Sequence, residues 1–146
     1  MTAPTEHGVR LARAADVSDW FRPGELEMAV GDALDASNSA PDGMSVGFAR
    51  WRAGTANRWV VNYDEALIVL RGRMSVETDQ LTVAAGPGEV IYLPAGTELV
   101  YWAIEDAEVV YVTHPHWFDA TQRSEHAAML DEYQPVDAGW AAELLQ

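Results

Sequence analysis

Two stretches, Glu65-Ala-Leu-Ile-Val-Leu-Arg-Gly72 and Gly88-Glu-Val-Ile-Tyr-Leu-Pro-Ala-Gly96, decide the fold. Each is a short apolar run of strand-forming residues closed by turn formers, which reads as a buried strand followed by a reversal. Outward from them the texture repeats. Trp59 to Leu70 reads as one long strand, Met74 to Glu77, Leu81 to Ala84 and Val90 to Leu93 as short ones, and Glu98 to Ala103 and Glu108 to Thr113 as the last two. Arg71-Gly-Arg73, Thr78-Asp-Gln80, Gly86-Pro-Gly88 and Pro94-Ala-Gly96 are the turns between them. Upstream, Met44 to Trp51 alternates as a strand and Ala53 to Asn57 breaks it. Many short strands with short connections predict an antiparallel sandwich or barrel.

The flanks read differently. Residues 1–24 form an N-terminal arm, in which Asp16 to Phe21 is a turn or short helix before Pro23-Gly24. Residues 35–43 are turn formers throughout and read as a loop. Residues 119–133 place Ala127, Met129 and Leu130 among polar residues, which predicts a surface helix ended by Pro135, with a further helical turn at Ala141 to Leu145. The expectation is one all-β domain with its barrel at 25–117 and a helical extension at 118–146.

Composition narrows the chemistry. The 146 residues carry 9 basic and 23 acidic side chains, a net charge of −14. That balance excludes nucleic acid and anionic membrane surfaces as natural partners, since both demand positive charge. No run approaches a membrane span, and the N-terminus lacks a signal-peptide layout, so a cytoplasmic location is expected. There is no Cys, and all 9 basic residues are Arg. Thiolate catalysis, Schiff-base chemistry and a phosphate-loop Lys are therefore absent, leaving carboxylates, His, Tyr, hydroxyls, Arg or a bound ion.

The spacing from Glu65 to Gly72, and that of Gly88, Pro94 and Gly96, resembles the tail of the first cupin motif and the head of the second. The resemblance implies a single small jelly-roll β-barrel. With Met44-Ser-Val-Gly-Phe-Ala-Arg50, Trp59-Val-Val-Asn-Tyr-Asp-Glu65 and Tyr111-Val-Thr-His-Pro-His-Trp117 added, residues 25–117 resemble the cupin domain of the EutQ family. That likeness implies a link to ethanolamine utilisation, an acetate-kinase-like activity and pairing into a homodimer.

An ordinary metal cupin supplies two His and one Glu from its first motif and one His from its second. Here the corresponding positions hold Arg58, Trp59, Val60 and Val61, and then Leu99, so only Glu65 remains. One carboxylate among Val and Leu does not hold zinc, iron or manganese. No metal or other cofactor is expected. His114 and His116, two apart at a strand exit, are the alternative source of ligands, weighed against polar residues idle at a loop mouth.

Period-two alternation puts Trp59, Val61, Tyr63, Glu65, Leu67 and Val69 on one face. If Glu65 keeps the direction that the resemblance implies, Trp59 and Tyr63 point inward with it. By the same analogy Leu99 and Tyr101 do so too, and Tyr111 is a further candidate. A carboxylate walled by rings is raised towards neutrality and can act as general acid or base. Tyr63 or Tyr101 can donate to an oxyanion, His114 can shuttle a proton, and Arg50 is the candidate anion clamp, ahead of Arg58 and Arg71. The expected function is a metal-independent small-molecule enzyme of lyase, isomerase or cyclase type, with Glu65, Tyr63 and His114 catalytic. Trp59, Arg50, Leu99, Tyr101 and Tyr111 would bind the substrate. The alternatives are a non-catalytic binding or assembly cupin, in which Glu65 is a structural partner and the rings are core, and acetate-kinase-like activity.

Overall fold

A computed structural model describes residues 8–40 and 42–146. Among the described residues eleven strands form two antiparallel sheets. They are β1 (Trp20–Pro23), β2 (Met28–Leu34), β3 (Ser45–Trp51), β4 (Ala56–Val60), β5 (Asp64–Arg71), β6 (Met74–Glu77), β7 (Thr82–Ala85), β8 (Val90–Leu93), β9 (Glu98–Ala103), β10 (Ala107–His114) and β11 (Tyr133–Val136). The larger sheet runs β11-β1-β2-β3-β10-β5-β8 and the smaller β4-β9-β6-β7. The architecture is an all-β jelly roll, as the resemblance implied, with two short helices, α1 (Trp117–Gln122) and α2 (Ala138–Glu143), near the C-terminal end. Among the described residues no helix is long and apolar enough to cross a membrane.

The core follows from alternation. Along β5, Glu65, Leu67 and Val69 are buried, and along β10, Ala107, Val109, Tyr111 and Thr113 are, while the residues between face out. Residues of β4, β6 and β9, including Trp59, Met74, Val76, Leu99, Tyr101 and Ala103, meet them from the opposite sheet.

Trp59 to Leu70 is not one strand. The chain changes sheets inside it, with β4 in the small sheet, β5 in the large one, and Val61 to Tyr63 forming the corner. The 94–97 turn holds that corner, because Gly96 N–H donates to the Val61 carbonyl at 2.7 Å and Val61 N–H to the Thr97 carbonyl at 3.1 Å. The inward set survives the turn, since Trp59, Val61, Tyr63, Glu65, Leu67 and Val69 are all buried.

The flanks are more β-rich than their composition suggests. Asp16 to Phe21 is not a helix: a single 3-10 turn at Ala14–Asp16 leads into β1. Met28–Leu34, unread in the sequence, is β2 and joins β1 to β3. The 119–133 segment breaks into α1, a 3-10 turn at Ala127–Glu132 and the start of β11. Pro135 lies within β11 opposite Phe21, tolerated because β11 is an edge strand that needs no outward N–H. Thus the arm and the extension each supply a strand to the large sheet. They also cover its outer face, where Val17, Trp20, Ala29, Phe48, Ala141 and Leu144 form a second apolar cluster. The Asp137 carboxylate caps α2, accepting from Trp140 N–H at 2.8 Å.

Gly72, which ends the first motif, has φ +77°, and a Cβ there would lie 2.0 Å from the Asp106 carbonyl oxygen. Backbone cannot yield as a side chain can. We expect Gly72→Ala to lower stability by more than about 2 kcal/mol, the sum of left-handed strain and overpacking. A urea titration followed by tryptophan fluorescence measures this.

Candidate active site

The inward side chains do not fill the barrel completely. Trp51, Trp59, Tyr63, Glu65, Tyr101 and Tyr111, with Tyr133, Trp117, Asn57, Ala49, Val30 and Met28, enclose a cavity of about 50 Å³. That exceeds the roughly 10–15 Å³ on the same measure that one water needs, and suits a ligand of a few heavy atoms.

Glu65 lies near the start of β5, between Thr113 of β10 and Leu93 of β8 in register, and is 6% exposed. Its Oε1 accepts a hydrogen bond from the Tyr101 hydroxyl at 2.6 Å. Its Oε2 has no partner among the described residues, although Glu65 lines the cavity. Burial disfavours the charged form and pushes the carboxyl pKa up to about 7, with the Tyr101 bond pulling the other way. Glu65 therefore has a proton to give or take near neutral pH.

The tyrosines divide into two kinds. The Tyr101 proton is committed to Glu65. Tyr63 accepts from the Trp59 indole N–H at 2.7 Å, and its own O–H has no acceptor among the described residues. Burial, then the Glu65 charge, raises the Tyr63 hydroxyl well above its ordinary value, so it is a neutral donor. Trp51 packs against Tyr101 with ring centroids 5.8 Å apart, and its indole N–H is buried without an acceptor among the described residues.

Tyr111 reaches the site because Gly47 lies opposite it on β3. A Cβ on Gly47 would fall 2.2 Å from the tyrosine ring. The Tyr111 hydroxyl donates to Asp32 Oδ1, and Trp117 Nε1 donates to the same oxygen at 2.9 Å. Burial raises the Asp32 pKa, opposed by these two bonds. Asp32 is thus a second, half-buried carboxylate beside the site, absent from the sequence analysis because β2 is not evident there. Met28, Val30 and Asp32 alternate along that strand, and this was the signal available.

Trp59 meets Trp117 and Tyr133 edge to face, Trp117 and Tyr133 are tilted to each other, and the three rings, with centroids 5.6–6.3 Å apart, line one side of the cavity. Tyr111, Trp117, Tyr133 and Val30 also border an outer vestibule of about 610 Å³, which Asp32 lines as well. The vestibule and the cavity thus lie on either side of the same four residues.

Five of the candidate site residues lie elsewhere. Arg50 points away from the interior, bonded to Glu108 at 2.9 Å and stacked 4.6 Å over Trp20 on the outer face. It is an even-numbered residue on a strand whose odd positions face in. Arg58 and Arg71 are exposed. His114 is exposed, on the outward face of β10, and cannot shuttle protons in the cavity. Leu99 is buried in the core but is not a wall of the cavity, and instead borders a separate groove with Met129.

His116 is buried and fully engaged. Its Nε2 lies 2.9 Å from the Ala40 carbonyl, which only accepts, so Nε2 carries the proton. Its Nδ1 then accepts from the Ser45 hydroxyl at 3.0 Å. With no free lone pair, it does not pair with His114 as a metal ligand. Trp59, Val61 and Leu99, at or beside the ligand positions of metal cupins, are buried apolar groups, so the residues present do not fit a metal. Among the described residues, no group of three or more His, Cys, Asp or Glu side chains is placed to hold one.

A profile of the family described as ethanolamine utilisation protein EutQ matches residues 24–119. The chain belongs to the EutQ family of cupins. Among relatives of the EutQ-family chain is the acetate kinase EutQ of Escherichia coli K12, 31% identical over 72 residues, 49% of this chain and 30% of that protein. The acetate kinase EutQ of Clostridioides difficile is 35% identical over 57 residues, 39% of this chain and 36% of that one. The match thus spans about a third of these relatives' length. The solved C. difficile EutQ structure superposes with a TM-score of 0.59 at 26% identity, covering 80% of this chain and 82% of that chain. A protein of unknown function from Rhizobium leguminosarum superposes at 0.61 with 32% identity, covering 75% and 99%.

The raised Glu65 pKa has a signed consequence. Between its unfolded value of 4.5 and about 7, the folded state binds more protons than the unfolded state, so stability falls as pH rises through that window. Glu65→Gln removes this dependence. Relative to the variant, the native protein should lose roughly 1–3 kcal/mol between about pH 5 and pH 8, measured by urea denaturation at both.

Proposed function

We propose that this EutQ-family cupin is a metal-independent enzyme that moves a proton on a small molecule held in the Glu65 cavity. The observation that carries this is the pairing of two unpartnered groups on one cavity wall, Glu65 Oε2 as base and the Tyr63 O–H as donor. Glu65 as carboxylate takes a proton from a carbon next to a carbonyl, and Tyr63 stabilises the oxyanion that develops. The Trp59 bond to the Tyr63 oxygen stabilises electron density left on that oxygen as its proton is shared. Protonated Glu65 then returns the proton at a second position, giving isomerisation, or to a leaving group, giving elimination. Attack of the carbanion on a second carbonyl of the same molecule gives cyclisation, the new alkoxide taking the proton back from Glu65. Tyr101 holds the carboxylate in place throughout.

Acetate kinase, the activity named for the longer relatives, is the second reading. It is supported less, because phosphoryl transfer needs a cationic cradle and no Arg lines the cavity. The family name also makes a role in ethanolamine utilisation part of the proposal. Pairing of two copies has its best surface on the outer face of β5 and β8, where Leu70, Val90 and Tyr92 are 47%, 58% and 64% exposed. Light scattering is expected to give twice the 16.0 kDa chain mass, and Tyr92→Glu to halve it.

The catalytic reading is tested by proton NMR in deuterium oxide with a panel of small aldehydes and ketones. We expect exchange of the carbon-bound hydrogens beside a carbonyl, slowed about 10²–10⁴-fold by Glu65→Gln and about 10²–10³-fold by Tyr63→Phe, and unchanged by His114→Ala. Exchange that survives Glu65→Gln overturns the mechanism. Binding without any exchange makes the protein a carrier or sensor instead.

A further inference from the structure

We infer that the substrate is an uncharged carbonyl compound with a second oxygen a few bonds from the first, and that the Trp51 indole N–H donates to that second oxygen. This rests on the reading that Glu65 moves a proton in the cavity. It names the substrate class and assigns a further residue to the site.

The starting point is an unmet donor. Trp51 is 3% exposed and lines the cavity, yet its buried Nε1–H has no acceptor among the described residues. A buried donor that has given up water and gained no partner is rare in a folded interior. On a cavity wall, an acceptor carried in by the ligand answers it. The Tyr63 O–H is the other unmet donor. With Glu65 Oε2, the cavity thus offers two donors and one acceptor.

The two donors call for two oxygens. In register, Trp51 lies beside Ala107 and Glu65 beside Thr113, near the opposite ends of β10. Tyr63 precedes Glu65 at the corner, so it belongs to the Glu65 end. Tyr101 spans the two ends, with its ring against Trp51 and its hydroxyl on Glu65. The carbonyl that reacts is therefore held by Tyr63, and a hydroxyl, ether or second carbonyl oxygen by Trp51. The cavity is only about 50 Å³, which keeps the two oxygens within a few bonds of each other.

The absence of charge follows from the base. A carboxylate on the substrate would face Glu65 as it ionises, and no Arg or Lys among the described residues lines the cavity to offset the repulsion. The neighbouring vestibule repeats the bias, with Asp16, Asp19, Asp32, Asp35 and Asp119 and no basic side chain except His116, which is engaged by Ala40 and Ser45. A cationic substrate would instead pair with Glu65 Oε2 and occupy the atom that takes the proton.

Four methyl ketones with the same number of heavy atoms separate the possibilities. Methoxyacetone and 4-hydroxy-2-butanone are uncharged and carry a second oxygen at two spacings. 2-Pentanone is uncharged with one oxygen, and pyruvate places its further oxygens on a negative charge. Exchange of the methyl hydrogens is followed by proton NMR in deuterium oxide at about pH 8, where Glu65, its pKa pushed up to about 7, is mostly carboxylate. Each rate is divided by the acetate-catalysed rate of the same ketone, which removes differences in C–H acidity.

The better of the two oxygenated ketones is expected to lead 2-pentanone by about tenfold or more, with pyruvate last. Trp51→Phe is expected to erase that lead and to leave 2-pentanone near its native rate. Trp51 is also a core residue, so the native protein supplies a second reading. Its Trp51 indole signal in nitrogen–proton NMR should move downfield with the oxygenated ketones and not with 2-pentanone. Pyruvate at or ahead of the oxygenated ketones, no lead of either over 2-pentanone, or a Trp51 signal that answers all the ketones alike overturns the inference. Exchange that is lost in Glu65→Gln while the ketones rank alike leaves the mechanism standing and removes the substrate class. A Trp51 signal that selects the oxygenated ketones, with exchange persisting in Glu65→Gln, does the reverse.

Discussion

The structure turns on a carboxyl group held in an apolar interior by a single phenol. Glu65 is 6% exposed, and among the described residues its one side-chain hydrogen bond comes from Tyr101. Burying an unpaired carboxylate costs several kcal/mol, and proteins usually answer with an Arg or Lys, or with a proton. Here no basic side chain among the described residues lines the cavity, and burial pushes the carboxyl pKa up to about 7, which favours a proton as the answer. Trp51 packs on Tyr101 and so backs the phenol that holds the carboxyl, while Trp59 fixes the Tyr63 ring on the same cavity lining.

Much of this was written in the residue pattern. The odd-numbered residues from Trp59 to Val69 alternate strictly, and the buried set follows them through a corner that the pattern did not reveal. Alternation reports which side of the chain faces in, and it is silent on which sheet the chain has joined. The corner at Val61 to Tyr63 comes from backbone bonds to the 94–97 turn, a contact between distant residues. The same limit hid β2, and with it Asp32. Its alternation is diluted by Ala29 and Gly31, which present no side-chain contrast.

Arg50 and the two histidines show a different limit. Residue type suggested anion binding and proton transfer, but position decides the role. Arg50 is committed to Glu108 and Trp20 on the outside, and His116 to Ala40 and Ser45. His116 works as a fastener, tying the loop before β3 to the start of α1. The separation of the polar groups into an acidic, ring-walled interior and an Arg-bearing exterior became visible only when both sheet faces were known.

The pairing of β1 with β11 brings Trp20 against Val136, across nearly the whole chain. Tyr133, at the head of that last strand, is also one of the three rings that line one side of the cavity. One short strand therefore does two jobs: it closes the edge of the large sheet and carries a ring over the chamber. Joining residues so far apart along the chain costs loop-closure entropy, which the packing of Tyr133 and its strand must offset. A substitution that loosens β1 from β11 thus reaches the acid inside without touching it, through the displacement of that ring.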